Sequence, residues 1–98
     1  MKEITAKKLQ GLIDKNQTLN ILDVREAAEV ADGKIPGAVN IPLGLLELRM
    51  HELVKTAEYM VVCRSGGRSA QAVQFLESRG FQAINITGGM LAWEGEIE

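Results

Sequence analysis

Ninety-eight residues with 46% hydrophobic side chains are expected to form one domain, residues 1–98, around a single core. A net charge of −2 offers no basic field for nucleic acid or an anionic membrane, and no apolar run is long enough to span a bilayer. One cysteine can form neither an internal disulfide nor, by itself, a structural zinc site; with no apolar leader after Met1, a cytoplasmic location is expected.

Thr5 is a suitable N-cap for a helix over Ala6 to Asp14, in which Leu9, Leu12 and Ile13 form an i, i+3, i+4 stripe. Ile4 and Leu9 hold the two places of a hydrophobic staple, and Lys8 at N3 leaves the capping box absent. Asn20 to Val24 reads as a short buried strand. Glu26 to Ala31 reads as one or two helical turns, ended by Asp32-Gly33, and Ile35-Pro36-Gly37 as a turn. Ala38 to Ile41 is a further strand, closed by Pro42. Leu45, Leu46, Met50 and Leu53 fit one face of a helix from Gly44 to Val54. Tyr59 to Val62 is a strand. Arg68 to Ser78 is a helix facing inward through Ala72, Val73, Phe75 and Leu76, with Gly80 as its C′ residue. Gln82 to Ile86 is a last strand, and Thr87-Gly88-Gly89 turns the chain into a short terminal helix containing Leu91 and Trp93.

Strands alternate with helices and are apolar runs, so the pattern predicts an α/β, three-layer domain. Its mostly parallel central sheet has about five strands, with helices on both faces. Sites in such sheets form beyond the carboxyl ends of strands. Cys63 sits at such an end, followed by Arg64-Ser65-Gly66-Gly67-Arg68-Ser69 and a helix. Loop N–H groups, the positive end of the helix dipole and two arginines all favour a thiolate there and would hold an anion beside it. The segment therefore points to a nucleophilic cysteine built to meet an anionic substrate.

Three blocks carry a family resemblance. Leu22-Asp23-Val24-Arg25-Glu26 with Glu29 and Gly33 to Pro42 is similar to the first signature of rhodanese domains. Val61 to Ala70 resembles their active-site loop, and Gly88-Gly89-Met90-Leu91-Ala92-Trp93 their closing motif. The blocks come in family order and span nearly the whole chain. Lys34 stands where the family commonly has His, and Val30 where an aromatic residue often follows Glu29. The resemblance implies a single-domain, rhodanese-like sulfurtransferase of the thiosulfate type. Cys63 would accept sulfane sulfur as a covalent persulfide and pass it to cyanide, a thiol or a protein acceptor. No metal or separate cofactor is then required.

Around Cys63, the residues expected to bind substrate are Arg64, Ser65, Gly66, Gly67, Arg68 and Ser69. Arg64 is expected to be exposed. Arg68 either grips oxyanion oxygens or pairs with a carboxylate and braces the loop. Ser69 either donates toward the site or caps the helix. Asp23, Arg25 and Glu29 are read as an ion-pair and turn network, His51 as a surface residue and Trp93 as a packing residue. A monomer is expected, because no large apolar face stands unexplained. The alternatives are a cysteine-dependent phosphatase or arsenate reductase, and a sulfur-carrier or interaction module. Tyrosine-phosphatase-like sites hold one residue more between cysteine and arginine than the Arg64-Ser65-Gly66-Gly67 found here. The shorter ring suits a sulfur atom better than a phosphoryl group.

Overall fold

The computed structural model describes residues 1–98. In chain order, strands are β1 Lys2–Thr5, β2 Asn20–Asp23, β3 Val39–Asn40, β4 Glu58–Val62 and β5 Gln82–Thr87; α-helices are α1 Ala6–Asp14, α2 Ala27–Ala31, α3 Leu46–Arg49 and α4 Gly67–Ser78. The five strands form one parallel sheet in the order β1-β5-β4-β2-β3. The chain leaves β2 toward β3 on one side and leaves β4 toward β5 on the other. The switch in direction therefore lies between the carboxyl ends of β2 and β4, where open α/β sheets form their sites.

Side-chain alternation divides the core into two layers. Along β4 and the residue that follows it, Tyr59, Val61 and Cys63 point to the face covered by α4, where they meet Ala72, Val73 and Leu76. Met60 and Val62 point to the other face, against Ala6 and Leu9 of α1 and the half-buried Trp93. Strand parity thus aims Cys63 at the first turns of α4 before any loop residue acts.

Local chemistry sets the element ends. Thr5 Oγ1 accepts from the Lys8 N–H at 3.1 Å, as expected of an N-cap, and Ile4 and Leu9 pack in the same layer. At the end of α4, Gly80 adopts φ +86°. Its N–H reaches the Glu77 carbonyl at 3.1 Å and the Phe81 N–H reaches the Leu76 carbonyl at 3.0 Å, a complete Schellman closure.

The structure departs from the sequence expectation in three places. The fifth strand is β1, an edge strand with Lys2, Glu3 and Thr5 exposed, so it lacks the apolar run that marks the others. The continuous helix expected over Gly44 to Val54 is instead a 3₁₀ turn Leu43–Leu45, the single turn α3 and a second 3₁₀ turn Met50–Glu52. The change of pitch rotates Leu45 outward, to 43% exposure, and leaves Leu46 as the buried anchor. The terminal helix is likewise a 3₁₀ turn, Gly89–Ala92, with Leu91 exposed and Trp93 just beyond it.

Candidate active site

Cys63 follows β4 directly and is 1% exposed. Gly66, at φ +112°, is the N-cap of α4, and its N–H donates to Cys63 Sγ at 3.0 Å. Gly66 supplies a backbone conformation that side chains rarely adopt, and it turns the chain so that the helix begins beside the sulfur. Gly67 was expected to share this role. It instead opens the helix with φ outside the left-handed region and nothing within 4 Å of an added Cβ. Arg64, Ser65 and Gly67 are exposed at the rim, and Gly66 and Arg68 are half-buried.

Ser69 is fully buried and does not cap the helix, since α4 starts two residues earlier. It continues the inward stripe of Ala72, Val73 and Leu76 back by one turn, which places a hydroxyl where that stripe meets Cys63. The Cys63 thiol donates to Ser69 Oγ at 3.3 Å, and Ser69 donates to Asn85 Oδ1 at 2.5 Å. Asn85 was not singled out from the sequence. It lies on β5 two residues from Ala83, on the same face, and its Nδ2 donates to the Gly66 carbonyl at 3.4 Å. A lone polar residue at an inward position of an otherwise apolar strand was the available signal.

Burial pushes the Cys63 thiol pKa up. The Ser69 hydroxyl and the N–H groups of Ser69, Gly66 and Ser65 act against burial and prevail, so the pKa lies below the ordinary thiol value.

Arg68 is engaged by a carboxylate and makes no hydrogen bond to the sulfur. Its Nη1 and Nη2 donate to Glu29 Oε1 and Oε2 at 2.7 and 2.8 Å, a two-pronged pair between α4 and α2. Of the two roles left open for this arginine, the geometry supports the brace. Glu29 Oε1 also accepts from the Glu26 N–H at 3.1 Å in the capping box of α2. The Arg68 hydrogen bonds, aided by Glu26 and by the Arg25 and Arg68 charges, lower the Glu29 pKa from 4.5 to about 2 against a smaller effect of burial.

Asp23 and Arg25 form the expected structural network. Arg25 Nη2 and Nε donate to Asp23 Oδ2 at 2.8 and 3.1 Å, and Nη2 also reaches the Gly33 carbonyl at 2.9 Å. Lys34 ties the end of the chain to the same region through Glu98 Oε1 at 2.5 Å and the Ala38 carbonyl at 3.0 Å. His51 is exposed, with Nδ1 donating to the Leu48 carbonyl at 3.1 Å, and takes no part in the site.

The closing turn holds the other flank of the loop. Met90 N–H donates to the Cys63 carbonyl at 2.9 Å and Leu91 N–H to the Arg64 carbonyl at 3.0 Å. A Cβ on Gly89 would lie 2.5 Å from both carbonyl oxygens, so only glycine permits this approach. A cleft of about 250 Å³ beside the loop is lined by Arg25, Glu29, Asp32, Arg64, Met90 and Leu91. Arg25 and Glu29 are already paired, which leaves Arg64 as its cation without a salt-bridge partner.

Comparison with known proteins agrees with this geometry. A family model described as "Rhodanese-like domain" matches residues 5–96. A Bacillus subtilis (strain 168) protein named "Putative sulfurtransferase YtwF" is 45% identical over 98 residues, covering 100% of this chain and 95% of that protein. An Allochromatium vinosum protein named "Sulfurtransferase" is 36% identical over 92 residues, covering 93% of this chain and 86% of its own length. The crystal structure of a rhodanese-like domain protein from Staphylococcus aureus superimposes with a TM-score of 0.94 at 38% identity, covering 100% of this chain and 97% of that one. Its sequence blocks, parallel sheet and cysteine loop are thus those of one family: the chain belongs to the rhodanese-like domain family.

Proposed function

We infer that this chain is a rhodanese-type sulfurtransferase that carries the transferred sulfur on Cys63. The observation that supports this most is the sulfur itself: Sγ accepts from the Gly66 N–H at 3.0 Å, at the N-terminus of a twelve-residue helix, in a setting that lowers its pKa. The relatives named as sulfurtransferases support the same class of reaction.

The donor is a small sulfane-sulfur anion of the thiosulfate kind. The Cys63 thiolate attacks the outer sulfur, a new S–S bond forms, the S–S bond of thiosulfate breaks, and sulfite leaves with the electron pair. An acceptor nucleophile, whether cyanide, a small thiol or a protein thiol, then attacks the outer sulfur of the persulfide. The Cys63 thiolate leaves with its electrons and is regenerated. Arg64 meets the donor anion at the rim. The N–H groups of Ser65, Gly66 and Ser69 hold negative charge on sulfur through both steps. Gly67 leaves the rim unobstructed, and Arg68 keeps the loop in place. The persulfide serves in place of a separate cofactor, and the reaction requires no metal.

Cys63→Ser tests the reading. The hydroxyl nearly matches the thiol in shape but stays un-ionised near neutrality and forms no persulfide. Thiosulfate:cyanide turnover should fall to background while the circular dichroism spectrum is kept. Turnover retained by the folded variant would refute the mechanism.

A further inference from the structure

Behind the Cys63 sulfur runs a buried polar chain that the transfer step does not use directly. Ser69 is 0% exposed and Asn85 4% exposed, so their hydrogen bonds are shielded from water. The Ser69 hydroxyl has one proton, and two atoms compete for it. It now points to Asn85 Oδ1 at 2.5 Å, which turns an Oγ lone pair toward Cys63 Sγ at 3.3 Å. In that arrangement Ser69 accepts from a thiol. A thiolate has no proton to give and needs a donor. The carboxamide of Asn85 is kept in its orientation by the Gly66 carbonyl, which accepts from Nδ2 at 3.4 Å. The loop that cradles the sulfur therefore also decides which end of Asn85 faces Ser69.

We propose that Asn85 is a positioning residue for the nucleophile. By engaging the Ser69 hydroxyl it favours the thiol form of Cys63, and it releases that hydroxyl to donate a hydrogen bond to the sulfur when Cys63 ionises or carries a persulfide. This rests on Cys63 being the nucleophile. On ionisation the S–H bond breaks and its proton passes to water. The Ser69 hydroxyl then turns, its bond to Asn85 Oδ1 breaks and a bond to Sγ forms. Oδ1 is left without that donor in a buried site, and this loss opposes ionisation. No redox partner is needed. Asn85 thus offsets part of the thiolate stabilisation that the loop N–H groups provide.

The charged groups on the other elements around the sulfur are paired with one another, and of these the Arg68 guanidinium interacts with the Cys63 charge. From α4 comes Arg68, already paired with Glu29. At this end of β2 stand Asp23 and Arg25, paired with each other. β5 contributes Asn85 and no titratable group, and the closing turn Gly89–Ala92 carries none. Arg64 is exposed at the rim.

The test is the pH dependence of iodoacetamide alkylation in the full chain, for the parent, Asn85→Ala, Ser69→Ala and the double variant. Asn85→Ala should lower the midpoint by about 0.5–1 pH unit, the worth of one competing hydrogen bond. In the Ser69→Ala background the same substitution should shift nothing. A midpoint unchanged or raised by Asn85→Ala overturns the proposal, as does an equal shift without Ser69. Should Asn85→Ala fail to fold, the parent protein decides. In ¹H–¹⁵N spectra the Asn85 side-chain amide pair should move with the Cys63 midpoint, and a pair that stays still through that titration overturns the proposal. Neither measurement uses a sulfur donor. Persulfide formation without these shifts removes the role of Asn85 alone, whereas the shifts without a persulfide remove sulfur transfer alone.

Discussion

The chemistry at Cys63 is a contest between burial, which favours the thiol, and converging donors, which favour the thiolate. The donors prevail because the Ser69 hydroxyl and the N–H groups of Ser69, Gly66 and Ser65 converge on one atom, and the N–H groups are fixed in advance by a turn and a helix start. Arg64 adds an exposed cation at the rim. Because it is exposed and has no salt-bridge partner, Arg64→Ala should raise KM for thiosulfate about tenfold, the value of one charge-assisted hydrogen bond, with the melting temperature unchanged. Steady-state kinetics beside a thermal melt checks this, and a large loss of stability would contradict it. These residues were legible because they are contiguous: one short segment holds the sulfur, the turn glycine and the rim cation. Asn85 was not legible in that way. Its place beside Ser69 depends on the register of β5 against β4, where Val61 pairs with Asn85, and no local pattern encodes that pairing.

Among the elements, the loop is held from two sides. The Arg68–Glu29 pair ties α4 to α2, and the closing turn clasps the carbonyls of Cys63 and Arg64. Glu29→Gln should lower the melting temperature at neutral pH by roughly 4–8 °C, equivalent to about 1 kcal/mol for a pair that solvent partly screens. Glu29 is acidified by folding, from 4.5 to about 2, so its contribution is full above pH 4.5 and is lost as the pH falls toward 2. Melts at neutral pH and across that acidic window should therefore show the parent and the Gln variant converging in acid. A difference that stays constant there would contradict the assignment. The clasp predicts a contrast between two glycines. Gly89→Ala forces a Cβ onto two carbonyl oxygens at φ +54° and should cost roughly 2 kcal/mol or more, whereas Gly67→Ala meets open space and should stay within about 0.5 kcal/mol. Urea denaturation of both variants measures this. The strands β2, β4 and β5 and the helix α4 were legible because their apolar runs and caps are local. The pitch changes between Leu43 and Glu52 were not, because 3₁₀ and α turns use the same residues and packing of Leu46 decides between them.

Across the whole molecule, topology brings the ends of β2 and β4 together, so the Asp23–Arg25 ion pair and the Cys63 sulfur stand side by side at the switch in sheet direction. The order of strands follows from alternation and crossover rules, yet β1 escaped them because an edge strand needs only one apolar residue, Ile4, to be held. With Cys63 as the sole cysteine, no second thiol can take the sulfur within the chain. A loaded persulfide should therefore wait for an acceptor from outside. The most direct measurement is the intact mass of the reduced protein after incubation with thiosulfate and removal of excess reagent. The parent should gain one sulfur atom and lose it on adding cyanide or a thiol, and Cys63→Ser should gain none. A parent that stays at its original mass, or a Cys63→Ser variant that takes up sulfur, would contradict the claim that Cys63 carries the transferred atom.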